Sequence, residues 1–157
     1  MPRRNFLSLL AMALGICAAH RSGAGALVRP LKRRRPQEWA RKLIYVVDDE
    51  ASLTELYALV LESAGYQAQT FNDRVEALEA FWAAARKPDL LITDFVGYPI
   101  SADLLMCGCR TSEPDLKILM ASACDRSCLE ECAVKPDGFM QKPFSLEGLL
   151  AEVRALV

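Results

Sequence analysis

The stretch Leu43-Ile44-Tyr45-Val46-Val47-Asp48-Asp49-Glu50 decides the fold. Five apolar residues in unbroken succession read as a short strand buried on both faces, and such strands belong to parallel sheets covered by helices. The run stops at two adjacent carboxylates. In open α/β sheets the carboxyl end of a strand is where functional groups gather.

Outward from this stretch, further apolar runs at 68–71, 90–93, 118–121 and 139–141 alternate with amphipathic segments. The alternation predicts five parallel strands with helices on both faces of a doubly wound α/β sheet. Leu53, Leu56, Tyr57, Val60, Leu61 and Ala64 keep helical spacing, with Ser52 and Glu55 as a capping box and Gly65 as the stop. A second helix runs through Val75, Leu78, Phe81, Trp82 and Ala85 behind Asp73. The last runs through Leu146, Leu149, Leu150, Val153 and Val157 behind Ser145. Shorter helices are expected near 103–110 and 125–131. The aromatic residues at these positions read as core.

A chain of 157 residues, 52% apolar and 25% charged, suits one packed domain with an extension. Residues 1–42 carry ten Lys/Arg against the one acid Glu38, which leaves nine against nineteen acids for the remainder. We therefore divide the chain into a basic extension, 1–40, and a folded domain, 41–157. The domain is acidic and has no helix-turn-helix or other nucleic-acid reader, so direct nucleic acid binding is not expected.

The extension resembles a twin-arginine export signal, but its apolar run at 6–19 is too short to span a bilayer. A start assigned too far upstream, or a weak membrane tether, fits a cytoplasmic domain better. Six cysteines in a regular α/β pattern read as reduced thiols. Cys124, Cys128 and Cys132 could form a metal or redox stripe on one helix face, yet the ordinary reading is core packing, as for Cys107 and Cys109. The only histidine, His20, lies in the extension, which excludes a Ser-His-Asp or Cys-His catalytic arrangement within the domain.

The remaining chemistry lies at strand ends: Asp48 and Asp49 after the first, Asp94 after the third, Ser122 after the fourth and Lys142 after the fifth. Clustered carboxylates persist where a cation neutralises them, and oxygen ligands without imidazole or thiolate select Mg²⁺. Lys142 supplies a point charge and Ser122 a hydroxyl donor. Together they suit an aspartate nucleophile that accepts a phosphoryl group.

The runs Val46-Val47-Asp48-Asp49-Glu50, Ile92-Thr93-Asp94, Met120-Ala121-Ser122-Ala123 and Gln141-Lys142-Pro143-Phe144 resemble the response-regulator receiver domain of two-component phosphorelays. Their spacing is that of a chemotaxis-type single-domain regulator, over residues 42–157. The resemblance implies a flavodoxin-like sheet of order 2-1-3-4-5. It further implies that Asp48 and Asp49 hold Mg²⁺ with Asp94 and the Val96 backbone carbonyl. Asp94 would accept its phosphoryl group from a histidine kinase or phosphotransfer protein, Lys142 would bind that group, and the Lys142-Pro143 peptide would be cis. Ser122 and Phe139 would form the conformational switch, read by a protein target on the face of the fourth helix, fifth strand and last helix. Val96 and Cys124 would flank the path of the hydrolytic water. The domain would then be no enzyme beyond its own phosphorylation and dephosphorylation.

Two departures stand out. Phe95-Val96-Gly97-Tyr98-Pro99 puts the proline one position late, and Ala102 stands where the family has Gly, which bears on the Val96 ligand. The stretch 122–139 is short and implies a truncated fourth helix. Two other readings remain open. One is a degenerate receiver that works as a protein-binding module. The other is a phosphatase of the haloacid-dehalogenase kind, whose nucleophile follows the first strand in an Asp-x-Asp pattern.

Overall fold

The computed structural model describes residues 41–97 and 99–157. The expected extension 1–40 and Tyr98 lie outside the described residues. Five strands, β1 (Leu43–Val47), β2 (Gln67–Phe71), β3 (Leu90–Thr93), β4 (Lys117–Ser122) and β5 (Gly138–Gln141), form one sheet in the order β2-β1-β3-β4-β5. All pairs are parallel, with Val47 opposite both Phe71 and Thr93, and Ser122 opposite Gln141. Four helices alternate with them: α1 (Ala51–Ser63), α2 (Arg74–Ala83), α3 (Ala102–Ser112) and α4 (Leu146–Leu156). A 3-10 helix, Arg126–Glu131, connects β4 to β5.

The period-two rule for strands sorts the core into two layers. Leu43, Tyr45 and Val47 join Leu78 and Phe81 of α2, Leu105 and Met106 of α3, and Cys128 and Cys132 beside the 3-10 helix. Ile44 and Val46 face the other way, onto Tyr57 and Leu61 of α1 and Leu149 and Val153 of α4. β1 and β3 are buried along their whole length, whereas β2, read as an apolar run at 68–71, lies at the sheet edge and exposes Gln69 and Thr70.

Local signals act much as read. Asp73 accepts from the Val75 and Glu76 N–H groups, and Ser145 from that of Gly148. Beyond α1 the Gly65 and Tyr66 N–H groups return to the Glu62 and Leu61 carbonyls, with Gly65 at φ +94. The expected capping box does not form. α1 begins one residue before Ser52, Glu50 holds the N-cap without a side-chain cap, and the Ser52 hydroxyl donates to Glu50 instead. α2 ends at Ala83, so Ala85 lies past it. The fourth helix is 3-10, and Cys107 is exposed rather than core, while Cys109 is fully buried and its thiol is pushed up to about 12 by burial.

Candidate functional site

Main-chain pairing continues past the strand ends and brings the carboxylates together. The Asp48 N–H donates to Phe71 O at 3.2 Å and the Asp94 N–H to Val47 O at 3.2 Å. Carboxylate oxygens of Asp48, Asp49 and Asp94 consequently lie within 4.8 Å of one another. Asp48 is buried, Asp94 half-buried and Asp49 exposed.

Lys142 reaches into this cluster from the end of β5. Its Nζ donates to Asp48 Oδ2 at 2.5 Å and lies 3.6 Å from Asp94 Oδ2. Burial opposes its charge, but the Asp48 hydrogen bond and the charges of Asp48 and Asp94 outweigh that and raise its pKa. The Lys142 N–H donates to Ser122 O at 2.7 Å, and the peptide from Lys142 to Pro143 is cis, as expected. Tyr57 of α1 stacks on Phe144, two residues beyond Lys142, with ring centroids 5.6 Å apart.

Ser122 is fully buried at the end of β4, and its Oγ accepts from the Cys124 N–H at 3.2 Å. Phe139, half-buried on β5, packs against the core, with the Arg126 guanidinium 5.8 Å from its ring centroid. Val96 is 58% exposed in the loop after Asp94. The cysteine stripe resolves as Cys128 and Cys132 in the core with Cys124 packed against it.

Two positioning groups went unread in the sequence. Asn72 donates from its amide to Asp48 O at 2.8 Å and to Thr54 Oγ1 at 3.1 Å, tying the loops after β1 and β2. Arg74 donates to Asp94 O at 2.8 Å. An Asn and an Arg flanking an N-cap aspartate look like solvated helix-start residues, and nothing in their spacing separates them from that.

Three convergent carboxylates meet the half-buried charge of Lys142, so the arrangement suits a hard divalent cation and an anion that the lysine can transfer to. The donor set is all oxygen, which fits such a cation without change of ligand.

A family model described as the response regulator receiver domain matches residues 44–154. The chain is 39% identical over 118 residues to response regulator MprA of Mycobacterium leprae and 38% identical to that of Mycobacterium tuberculosis. Each alignment covers 73% of this chain and 50% of the relative, so the chain spans about half the length of these curated relatives. Among solved structures, the response regulator TrrA from Thermotoga maritima, in complex with Mg²⁺-BeF, is 32% identical with a TM-score of 0.65, covering 74% of this chain and 99% of that one. A receiver protein from Sinorhizobium medicae, 24% identical with a TM-score of 0.68 over 75% of this chain and 95% of that one, shares the fold.

Proposed function

The chain belongs to the response regulator receiver domain family, and from that premise we propose that it accepts a phosphoryl group on Asp94 in a two-component phosphorelay. The observation that carries this reading is Lys142 Nζ set against Asp48 and Asp94, with Asp49 completing a three-carboxylate cluster. A carboxylate cluster at the carboxyl ends of parallel strands, with one ammonium beside it, is suited to hold a metal and a phosphoryl group together.

In this reading the Asp48, Asp49 and Asp94 carboxylates hold Mg²⁺, with the Val96 carbonyl as a further ligand. The ion supplies charge neutralisation to the transferring group. The T. maritima relative with Mg²⁺-BeF supports that choice of cation. One Asp94 carboxylate oxygen attacks the phosphorus of a phosphohistidine on a kinase or phosphotransfer protein. A P–O bond forms, the P–N bond breaks with its electron pair going to the ring nitrogen, and the imidazole leaves neutral after taking a proton from solvent. Lys142 exchanges its Asp94 contact for a phosphoryl oxygen. Ser122 then turns from the Cys124 N–H toward the phosphoryl group, and Phe139 moves into the space it vacates. A protein target reads the change on the face made by the 3-10 helix, β5 and α4. The domain acts in the cytoplasm and turns over no substrate besides its own phosphoryl group.

Treatment with a small-molecule phosphodonor, followed by intact-mass analysis, tests the reading. Mg²⁺-dependent labelling of the native chain and none of Asp94→Asn is expected, because the amide is nearly isosteric yet forms no acyl phosphate. Label retained in Asp94→Asn would refute the assignment. A native chain that takes no label would point to a protein-binding module, and steady turnover of a phosphomonoester to a phosphatase.

A further inference from the structure

Arg74 opens α2 directly behind its N-cap, where an arginine ordinarily extends into water. Here it is only 4% exposed. Its guanidinium turns under the loop that follows β3, Nη2 donating to the Asp94 carbonyl at 2.8 Å and Nη1 to the Ile100 carbonyl at 3.0 Å. Those acceptors are the two ends of one loop, so a single planar fork ties both. Gly97 closes over it from the middle of the loop. A Cβ at Gly97 would come within 2.9 Å of the guanidinium carbon and both terminal nitrogens, so the backbone passes where a side chain would collide.

A buried guanidinium is costly unless its donors and its charge are satisfied. Both conditions hold: two carbonyls take hydrogen bonds, and the charges of Asp94, Asp49 and Asp48 oppose the effect of burial. The loop held in this way carries the late proline, Pro99, and the exposed Val96. Arg74 therefore joins the helix that the sequence reads as plain scaffold to a segment that departs from the family pattern.

We propose that Arg74 is a positioning residue of the phosphoacceptor site, which holds the main chain at Asp94 and Ile100 so that the Asp94 carboxylate and the Val96 carbonyl keep one placement toward a bound cation. Its guanidinium touches neither the cation nor the phosphoryl group and acts through the backbone it holds. The inference rests on the reading of Asp48, Asp49 and Asp94 as a Mg²⁺-binding phosphoacceptor cluster. Loss of the charge alone would favour cation binding, by removing a repulsive neighbour, whereas loss of the fork would disfavour it. Arg74→Lys separates the two, since it keeps the charge and surrenders the paired geometry.

The experiment is a Mg²⁺ titration of the full chain, followed by the amide resonances of residues 94–97 and 100, on the native protein, Arg74→Lys, Arg74→Ala, Gly97→Ala and the Arg74→Ala/Gly97→Ala pair. Removing a group that orients metal ligands weakens affinity by about tenfold or more, and this is expected for Arg74→Lys and for Gly97→Ala. In the Arg74→Ala background the effect of Gly97→Ala on Kd should shrink severalfold, because the guanidinium it would strike is gone and only the backbone cost of a side chain at φ +159 remains. A Mg²⁺ Kd unchanged in Arg74→Lys, with only a lowered Tm, would reduce Arg74 to core filling and overturn the proposal. An equal Gly97→Ala effect in both backgrounds would overturn it too. Should Arg74→Lys fail to fold, Gly97→Ala carries the same test with the arginine in place. A native chain that binds no Mg²⁺ would instead overturn the underlying reading of the site.

Discussion

Asp49 is the exposed member of the carboxylate cluster, while Lys142 pairs with the other two. Its negative charge is therefore the one least neutralised in the absence of metal. Asp49→Ala should weaken Mg²⁺ binding by about tenfold or more, as loss of a direct oxygen ligand does, and should raise the Tm of the metal-free form by relieving repulsion. Thermal melts with and without Mg²⁺ check both, and an unchanged Mg²⁺-induced rise in Tm would remove Asp49 from the ligand set. At the same scale stand Val96 and Cys124, neither of which offers a strong hydrogen-bonding side chain to an attacking water. Positioning of that water can contribute several kcal/mol, so the acyl phosphate of the isolated domain should last minutes or longer. Val96→Asn or Cys124→Glu should shorten that half-life. A native half-life of a few seconds would contradict the idea.

Between β4 and β5 the chain runs through a six-residue 3-10 helix, Arg126–Glu131. A six-residue 3-10 helix advances about 12 Å, against about 9 Å for an α-helix, so the tighter winding lets a short segment cover the same sheet. This is how the shortness read at 122–139 is accommodated, with Cys128 and Cys132 still reaching the core. The end of α1 rests on different physics. Gly65 sits at φ +94, and a Cβ built there meets nothing within 4 Å, so the penalty of a side chain is purely one of backbone conformation. Gly65→Ala should cost about 1 kcal/mol, read as a lowered urea midpoint with an unchanged m-value. An unchanged midpoint would mean that α1 can end without the left-handed turn.

Across the whole molecule, the end of the sheet opposite the site is braced by two aspartates that precede strands. Asp137 accepts the Ile118 N–H at 2.8 Å ahead of β5, and Asp89 accepts the Leu43 N–H at 2.8 Å ahead of β3, each reaching a neighbouring strand. Asp89 also pairs with Lys42 at 2.9 Å and Arg86 at 3.3 Å. Burial alone would raise its pKa, but the Leu43 N–H and the Lys42 and Arg86 charges prevail and lower it from 3.8. A carboxylate depressed on folding contributes stability above its unfolded pKa and loses it as pH falls through the folded value. Asp89→Ala should thus cost about 1–2 kcal/mol at neutral pH, and the difference from the native chain should shrink as pH drops below 3.8. Denaturation at pH 7 and pH 3 checks this. A gap that persists at the lower pH would show that the carboxylate charge contributes little.

Strand number, helix order and the meeting of the carboxylates were legible from sequence because each leaves a local or periodic trace. Buried strands are unbroken apolar runs, caps are single polar residues at fixed offsets, and Asp48, Asp49, Asp94, Ser122 and Lys142 fall where runs end. The capping box at Ser52 and Glu55 failed because the N-cap falls on Glu50, two residues earlier than the pattern indicated, a choice made by the turn that the Glu50 N–H forms on Asp48 Oδ1. Cys107 and Cys109 differ by two positions on one helix, and only packing on the sheet decides which is buried. Arg74 lay furthest from the reach of sequence. Its partners are the carbonyls of Asp94 and Ile100, and main-chain acceptors carry no residue identity for a pattern to detect. Tertiary structure alone turns that arginine inward, because only in the folded chain do the start of α2 and the loop after β3 come close enough for one guanidinium to satisfy both carbonyls beside three carboxylates.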